Sequence, residues 1–569
     1  MKKTYLIFFL LIEALSFRSQ TTLQWAKKMG GTSFDISTSI AVDASGNVYT
    51  IGSFSGTADF DPGAATSNLT SAGEKDIFIS KLSSSGNFVW CKRIGNTMND
   101  EGNAITVDAL GNVYTTGFFI GSCDFDPGPA VSTLTAVANE NAFILKLTSA
   151  GNFVFAKKLG ATNGTSANWG NSIKIDASGN IFTTGAFKET IDFDPGPLTY
   201  TLTSVGYNDA FISKLDNMGN FIWAKVLKGA YSSANSSGDS MELDALGNVY
   251  TTGYFQNIVD FDPGVGTYTL YANSSPDEYI AKLDANGDLV WARRMGGSGT
   301  EWTHSIAIDG SGNVYTTGMY LSYDADFDPG PGTFTLSIPT YYNAFISKLN
   351  AAGDFVWAKS FNGYQARGND ITTDAAGNVY TTGAFVSTCD FDPSAATYTL
   401  TGGNNASTFI SKLDPSGNFL WAESIAGNSY VEGQSLFIDA ANDIHLAGVF
   451  QDTMSFSPIA PTASLASSGS YDVFVCKLSQ VPASVKENSV LNTFSISPNP
   501  NNGSFHLKLD AELKNAQLII INSVGQKVHE QKITEGTNQI TTHFLSGGLY
   551  SYIVVEDEHL IGKGKIIIE

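Results

Sequence analysis

Asp43–Gly52 reads D-A-S-G-N-V-Y-T-I-G. The unit returns with small changes at Asp108, Asp176, Asp244, Asp309 and Asp374, and in worn form (D-A-A-N-D-I-H-L-A-G) at Asp439. Successive starts lie 65, 68, 68, 65, 65 and 65 residues apart. A near-constant period over seven copies marks a repeat architecture, in which each copy is one supersecondary unit.

Each period carries three further landmarks. D-F-D-P-G begins at Asp59, Asp124, Asp192, Asp260 and Asp326, becomes D-F-D-P-S at Asp390 and decays to S-F-S-P at Ser455. An F-I-S-K-L run follows, at Phe78–Leu82 in the first copy and Phe474–Leu478 in the last. A W-A-K-like run then starts at Trp90, Phe155, Trp223, Trp291, Trp357 and Trp421.

Apolar and polar residues alternate through these runs, which are β-branched and aromatic and of strand length. The D-x-x-G-N stretches, such as Asp43–Asn47, place a glycine late in a short loop, where a type I turn with a bulge needs positive φ. One period is therefore two hairpins, a four-stranded antiparallel sheet with an insertion between its second and third strands. Such sheets in tandem are propeller blades. The insertion carrying D-F-D-P-G explains why the period exceeds the roughly 40–50 residues of common blades.

The chain holds seven copies of the first three strands, but only six fourth strands follow them. The missing one stands at the other end, where Leu23–Lys28 reads L-Q-W-A-K-K with no earlier strands of its own. The expected fold is all-β: a seven-bladed propeller closed by its N-terminal strand, which leaves no open edge.

Domain limits follow from where the repeat begins and ends. Residues 1–20 have the layout of a signal peptide, with Lys2 and Lys3 before an apolar Tyr5–Ile12. That run is too short to span a bilayer, and no other segment is long enough. The propeller occupies 21–480, a linker 481–492, and a second β domain 493–569. Strands expected there at Ser504–Leu509, Gln517–Asn522, Tyr550–Val555 and Lys563–Glu569 suggest a small immunoglobulin-like sandwich.

The 569 residues carry a net charge of −22, which argues against nucleic acid or an anionic membrane as partner. The four cysteines stand as single substitutions in repeat columns, so no disulfide is expected.

Strand direction alternates within a blade, so the insertions and the blade-to-blade connections share one face. The short D-x-x-G-N turns occupy the other. The first face, with its varied loops, is the candidate for binding. Two columns of the blade-to-blade connections surround the channel mouth. One is polar throughout: Thr38, Asn103, Asn171, Asp239, His304, Asn369 and Gln434. The other differs from blade to blade, as a recognition surface would and as an unconstrained loop also would: Ile36, Glu101, Trp169, Ser237, Trp302, Arg367 and Glu432. Ligand contact is assigned to Trp169, Trp302, His304, Arg367, Glu101 and Glu432.

The repeated acidic pairs have two readings. Calcium is the cation they could hold, at Asp59 and Asp61, Asp124 and Asp126, Asp192 and Asp194, Asp260 and Asp262, Asp324, Asp326 and Asp328, and Asp390 and Asp392. The EF-hand pattern fails, because Pro329 stands where its glycine belongs and Thr335 where its glutamate belongs. The other reading is a turn in which aspartate caps its own backbone and phenylalanine packs inward. No other cofactor is expected.

Catalytic motifs are missing: there is no G-x-S-x-G, H-E-x-x-H, Walker loop or C-x-x-C. Glu301, His304 and Glu432 at the channel mouth are the one constellation worth testing for acid–base chemistry. His445 occupies a tyrosine column and reads as structural.

The repeats resemble the SBBP-type bacterial β-propeller repeat, in D-x-x-G-N-V-Y-x-T-G, D-F-D-P-G and F-I-S-K-L. This resemblance implies the propeller fold and an exported protein, and no settled activity. The tail resembles the type A C-terminal sorting domain of the type IX secretion system, in S-P-N-P-N-N-G at Ser497–Gly503, L-S-G-G-L-Y at Leu545–Tyr550 and G-K-I-I-I-E at the end. That resemblance implies partnership with the type IX machinery and a sortase-like protease. It also implies a mature protein that is released or attached at the outer-membrane surface. The expectation is a non-catalytic propeller that binds an extracellular glycan or protein. The alternatives are a polysaccharide-acting enzyme at the channel mouth and a passive surface or matrix component.

Overall fold

The computed structural model describes residues 21–480 and 494–568, except 138, 162–163, 273–274, 337–340, 404, 457–462, 510–515, 523–526, 544 and 557–558. The expected signal peptide and linker lie outside the described residues. No described residue is helical. The chain divides into two compact units, Met1–Ala483 and Ser484–Glu569.

Among the described residues, the first unit holds seven four-stranded antiparallel sheets. In the first, Asp35–Val42, Val48–Phe54, Asp76–Leu82 and Phe88–Ile94 pair in that order. Thr21–Gly31 pairs with Asp472–Gln480 as the fourth strand of the last sheet, setting Ala26 opposite Cys476. The seven innermost strands pack side by side in a closed round, the last, Val431–Ile438, lying against the first, Asp35–Val42.

Burial follows position in the blade. Every residue of Val48–Phe54 is buried, because sheets cover this strand on both faces, whereas Phe88–Ile94 at the rim is partly exposed. The tryptophans of the outer strands grip the next blade: Trp25 Nε1 donates to the carbonyl of Ser84 at 3.1 Å and Trp90 Nε1 to that of Ser149 at 3.1 Å. Lysines of the third strands do likewise, Lys81 to Ser149 and Lys348 to Pro415. At the ring closure that turn is replaced, and Lys412 Nζ donates instead to the side-chain Oε1 of Gln480 at 2.9 Å.

In the D-x-x-G-N turn, Asp43 Oδ1 accepts from the amides of Ser45 (2.9 Å) and Asn47 (3.0 Å), and Gly46 takes a φ of 77°. Asp43 Oδ2 accepts from Asn47 Nδ2 and from the Tyr49 hydroxyl. In the worn copy His445 replaces the tyrosine, and its Nε2 meets Asp439 Oδ2 at 2.9 Å.

Two features of the blade go beyond the sequence reading. The innermost strand runs over Asp35–Val42, back into the blade-to-blade connection, and bulges at one residue. The D-F-D-P-G segment also belongs to a small hairpin, Thr57–Asp59 with Asn68–Thr70. This hairpin is sewn to the preceding blade, for Gly30 pairs with Asp59, Lys228 with Asp260 and Ala426 with Ser455. Its phenylalanine is fully buried, Phe60 lying 4.9 Å from the Phe78 ring centroid.

The second unit has two antiparallel sheets around one core. Phe494–Ser497, Ser504–Leu509 and Gly536–Thr541 form one sheet. Lys527–Lys532, Ala516–Ile521, Gly548–Glu556 and His559–Ile568 form the other. Phe505, Leu507 and Ile540 meet Leu518, Ile520, Val554 and Ile566 between them. The strands Lys527–Lys532 and Gly536–Thr541 were not anticipated from the sequence.

Candidate binding face and channel

The bulge explains the polar column. In all seven innermost strands the register slips at that column, between Ser37 and Ser39, Gly102 and Ala104, Gly170 and Ser172, Gly238 and Ser240, Thr303 and Ser305, Gly368 and Asp370, and Gly433 and Ser435. The extra residue is left out of the ladder, and its side chain reaches the neighbouring blade. Thr38 Oγ1 donates to the Gly102 carbonyl at 2.7 Å, Asn103 Nδ2 to Gly170 at 3.0 Å, Asn171 Nδ2 to Gly238 at 3.1 Å and Asn369 Nδ2 to Gly433 at 2.9 Å. His304 Nδ1 lies 2.8 Å from the Gly368 carbonyl.

The same bulge dictates the glycine that ends the repeated decapeptide. A Cβ at Gly52 would sit 1.8 Å from the carbonyl oxygen of Ile36, and at Gly318 1.8 Å from that of Trp302. Only a residue without a side chain fits under that carbonyl.

The bulge residues line a central cavity of about 240 Å³ with polar walls. Lys174 ion-pairs with Glu242 there. Asp370 accepts from Ser305 Oγ (2.7 Å), Ser435 Oγ (2.9 Å) and the Leu436 amide (2.8 Å). Burial pushes Asp239 up to about 6, against bonds from Ser237 and Asn171 that lower it.

The structure brings some expected ligand residues together and separates others. Arg367 and Glu432 form an ion pair: Arg367 Nε donates to Glu432 Oε1 at 2.8 Å and Nη2 to the Tyr430 hydroxyl at 2.9 Å. Tyr430 donates in turn to Glu432 Oε2, and Asn369 Nδ2 to Glu432 Oε1 at 2.7 Å. Glu101 pairs instead with Lys75 at 2.8 Å, in another part of the ring. Trp169 is half-buried in the third blade, and Trp302 is 40% exposed in the fifth.

The residues tested for acid–base chemistry have separate partners. Glu301 is buried and accepts from the Gly297 amide at 2.9 Å and from Ser322 Oγ. Its carboxyl is pushed up by burial, while the His304 imidazole is held down by burial. Glu432 belongs to the Arg367 network.

The aspartates of the D-F-D-P-G hairpins bond to their own loops. Asp59 Oδ1 accepts from the amides of Asp61 (3.0 Å) and Ser67 (2.8 Å), and Asp61 Oδ1 from that of Gly63 (2.7 Å). The pattern repeats at Asp124 and Asp126, Asp192 and Asp194, Asp260 and Asp262, and Asp390 and Asp392. Asp326 and Asp328 keep it too, whereas Asp324 Oδ1 accepts from Ser298 N (2.9 Å) and Oγ (2.8 Å). Among the described residues no group of three or more His, Cys, Asp or Glu side chains is arranged to hold a metal ion.

Sequence reasoning missed the surroundings of Arg367. A pocket of about 440 Å³ there is lined by Tyr342, Tyr364, Gln365, Arg367, Asn405 and Tyr430, among others. Tyr364 lies 5.0 Å, centroid to centroid, from Tyr341. Tyr430 meets Tyr471 edge-on at 5.5 Å, and Tyr471 stacks on Phe34 at 5.7 Å and 22°. Tyr342, Tyr364, Asn405 and Tyr430 share no repeat column, which left the pocket without a signal in the sequence.

Comparison with known proteins bears on both units. Residues 89–117 and 290–319 match the family model described as a beta-propeller repeat, and 495–569 match the secretion system C-terminal sorting domain. The chain is thus a repeat-built β-propeller carrying a type IX sorting tail, and the tail marks it for export to the cell surface or extracellular space. No helix among the described residues is long and apolar enough to cross a membrane.

An uncharacterized WD repeat-containing protein of Acanthamoeba polyphaga mimivirus is 23% identical over 538 residues, 81% of this chain and 38% of that one. Regulatory protein FlaEY of Caulobacter vibrioides is 24% identical over 176 residues, 30% and 17% of the two chains. The chain spans well under half the length of either. Solved structures that resemble it include an ulvan lyase (12% identity, 80% of this chain and 96% of that one, TM-score 0.37). Another is PorZ, a surface component of the type IX secretion system of Porphyromonas gingivalis (10%, 96% and 100%, TM-score 0.18). At these TM-scores neither likeness bears on activity.

Proposed function

We propose that this protein is a non-catalytic binding propeller of the cell surface. It is delivered through the type IX machinery by its sorting tail, which a sortase-like protease then removes. It meets an extracellular glycan or protein on the face that carries the insertions and the blade-to-blade connections. The observation that supports this most is the pocket around Arg367, where tyrosine rings and planar polar side chains from several loops converge.

The test uses the purified full chain, probed on a glycan array and against extracellular protein extracts. Binding lowered by Trp302→Ala or Arg367→Ala, and unchanged by Leu110→Ala or Leu246→Ala, supports the reading. The leucines are 81% and 80% exposed on the opposite, short-turn face. Binding that follows the leucines instead, or release of new sugar ends from a polysaccharide on incubation, would overturn it.

A further inference from the structure

The geometry points to the pocket beside Arg367, with the aromatic rings that flank it, as a site for a neutral oligosaccharide of several units, an inference that rests on the binding reading above. Tyr364 and Tyr430 line it, and three more rings follow from them in ring-to-ring contact. Tyr341 and Tyr364 form one pair, and Tyr430, Tyr471 and Phe34 continue the line through the seventh blade to the first. Three of them are well exposed for aromatic residues, Tyr341 at 50%, Tyr364 at 46% and Phe34 at 50%. What sets them apart is that they gather beside one pocket, and exposed apolar surface gathered in one place marks ligand-binding grooves.

A pyranose supplies one, since its axial C–H groups form an apolar face against which a ring can lie. Its rim of hydroxyls needs planar donors and acceptors, and Gln365, Asn405 and Arg367 line the same pocket. Arg367 is held by Glu432 and Tyr430 through Nε and Nη2, and neither of those bonds uses Nη1. This network fixes the guanidinium before a ligand arrives, and preorganisation of that kind favours binding.

Charge selects the class of sugar. Glu432 neutralises Arg367 at 2.8 Å, so the pocket has no surplus positive charge to attract a carboxylate or sulfate. The net charge of −22 repels an anionic polymer further. The pocket volume of about 440 Å³ lies within the usual range of small-ligand sites. The ring line continues beyond it toward Phe34, which implies a chain rather than a single sugar.

The experiment is an array of neutral hexose oligosaccharides from one to six units, printed beside uronate-containing and sulfated counterparts and probed with the full chain. The expected result is binding to neutral oligosaccharides that strengthens with length. Tyr364→Ala should weaken it about tenfold for every length, and Phe34→Ala should weaken it for the longer ones only. Both side chains are exposed, so melting curves should match the unsubstituted protein and exclude misfolding as the cause. Neutral-sugar binding indifferent to Tyr341→Ala, Tyr364→Ala and Phe34→Ala overturns this site while leaving the binding face standing. Binding confined to anionic sugars overturns the ligand class. Failure to bind any glycan, with a protein still captured through Trp302 or Arg367, overturns the inference but not the proposed function.

Discussion

Asn103 Nδ2 donates to the carbonyl of Gly170 across a blade junction at 3.0 Å, and it does so because Asn103 is the bulged residue of its strand. Thr38, Asn171 and Asn369 make the same reach at their own junctions, so the inner ring is held by a repeated side-chain clasp. A hydrogen bond of this kind contributes roughly 0.5–1.5 kcal/mol. Asn103→Ala should therefore lower unfolding stability by about 1 kcal/mol. Asn369→Ala should cost more, because Asn369 also serves Glu432. Chemical denaturation of both variants checks the order.

Gly368 is confined from the previous blade. A Cβ there would stand 2.0 Å from Thr317 Oγ1, and that hydroxyl is committed to the Phe345 carbonyl at 2.7 Å. Gly368→Ala should destabilise by about 1–3 kcal/mol, the usual result of overpacking. Pairing it with Thr317→Ser, which removes only a methyl and keeps the hydroxyl, should recover little. Pairing it with Thr317→Ala should recover more. Thermal melts of the three variants distinguish these outcomes.

Glu278 stands where other blades carry small or apolar residues such as Ala142, Ala210 and Ala344, and it is fully buried. Burial pushes its carboxyl up to about 8, with Thr316 and Thr303 pulling it down and Glu301 adding to the rise. Between the ordinary glutamate value near 4.3 and about 8, the folded state keeps a proton that the unfolded chain has lost. Stability therefore falls as pH rises through that window and is flat above it. Glu278→Gln should match the parent near pH 4 and exceed it increasingly toward pH 8, by at most roughly 1.4 kcal/mol per pH unit. Melting temperatures across the range check it, and a difference that does not change with pH would contradict it.

The propeller was legible in the sequence because its cause is periodic. Asp43–Gly52 repeats the same turn and the same buried strand, and the unmatched Leu23–Lys28 told where the ring closes. The D-F-D-P-G turn was legible too, since aspartate, proline and glycine act locally. Its pairing with the preceding blade was not, because Gly30 and Asp59 are joined by tertiary contact and neither looks like a strand residue. The polar column was visible, but not its bulge, which depends on register. The aromatic line was hidden for a different reason: Tyr341, Tyr364, Tyr430, Tyr471 and Phe34 come from separate connections and share no column or period. Among the expected ligand residues, Arg367 and Glu432 were brought together in a direct ion pair, which Tyr430 braces from the side.

The aromatic line depends on the closure, because it passes from Tyr471 in the last blade to Phe34 in the first. The most direct measurement uses the register there. Ala26 lies opposite Cys476, on neighbouring antiparallel strands whose spacing suits a disulfide. Ala26→Cys, oxidised and mapped by peptide mass spectrometry, should yield a crosslink between position 26 and Cys476 and a higher melting temperature than the same protein reduced. A crosslink from position 26 to Cys91, Cys123 or Cys389 instead, or a thiol at position 26 that stays freely reactive, would contradict the closed ring.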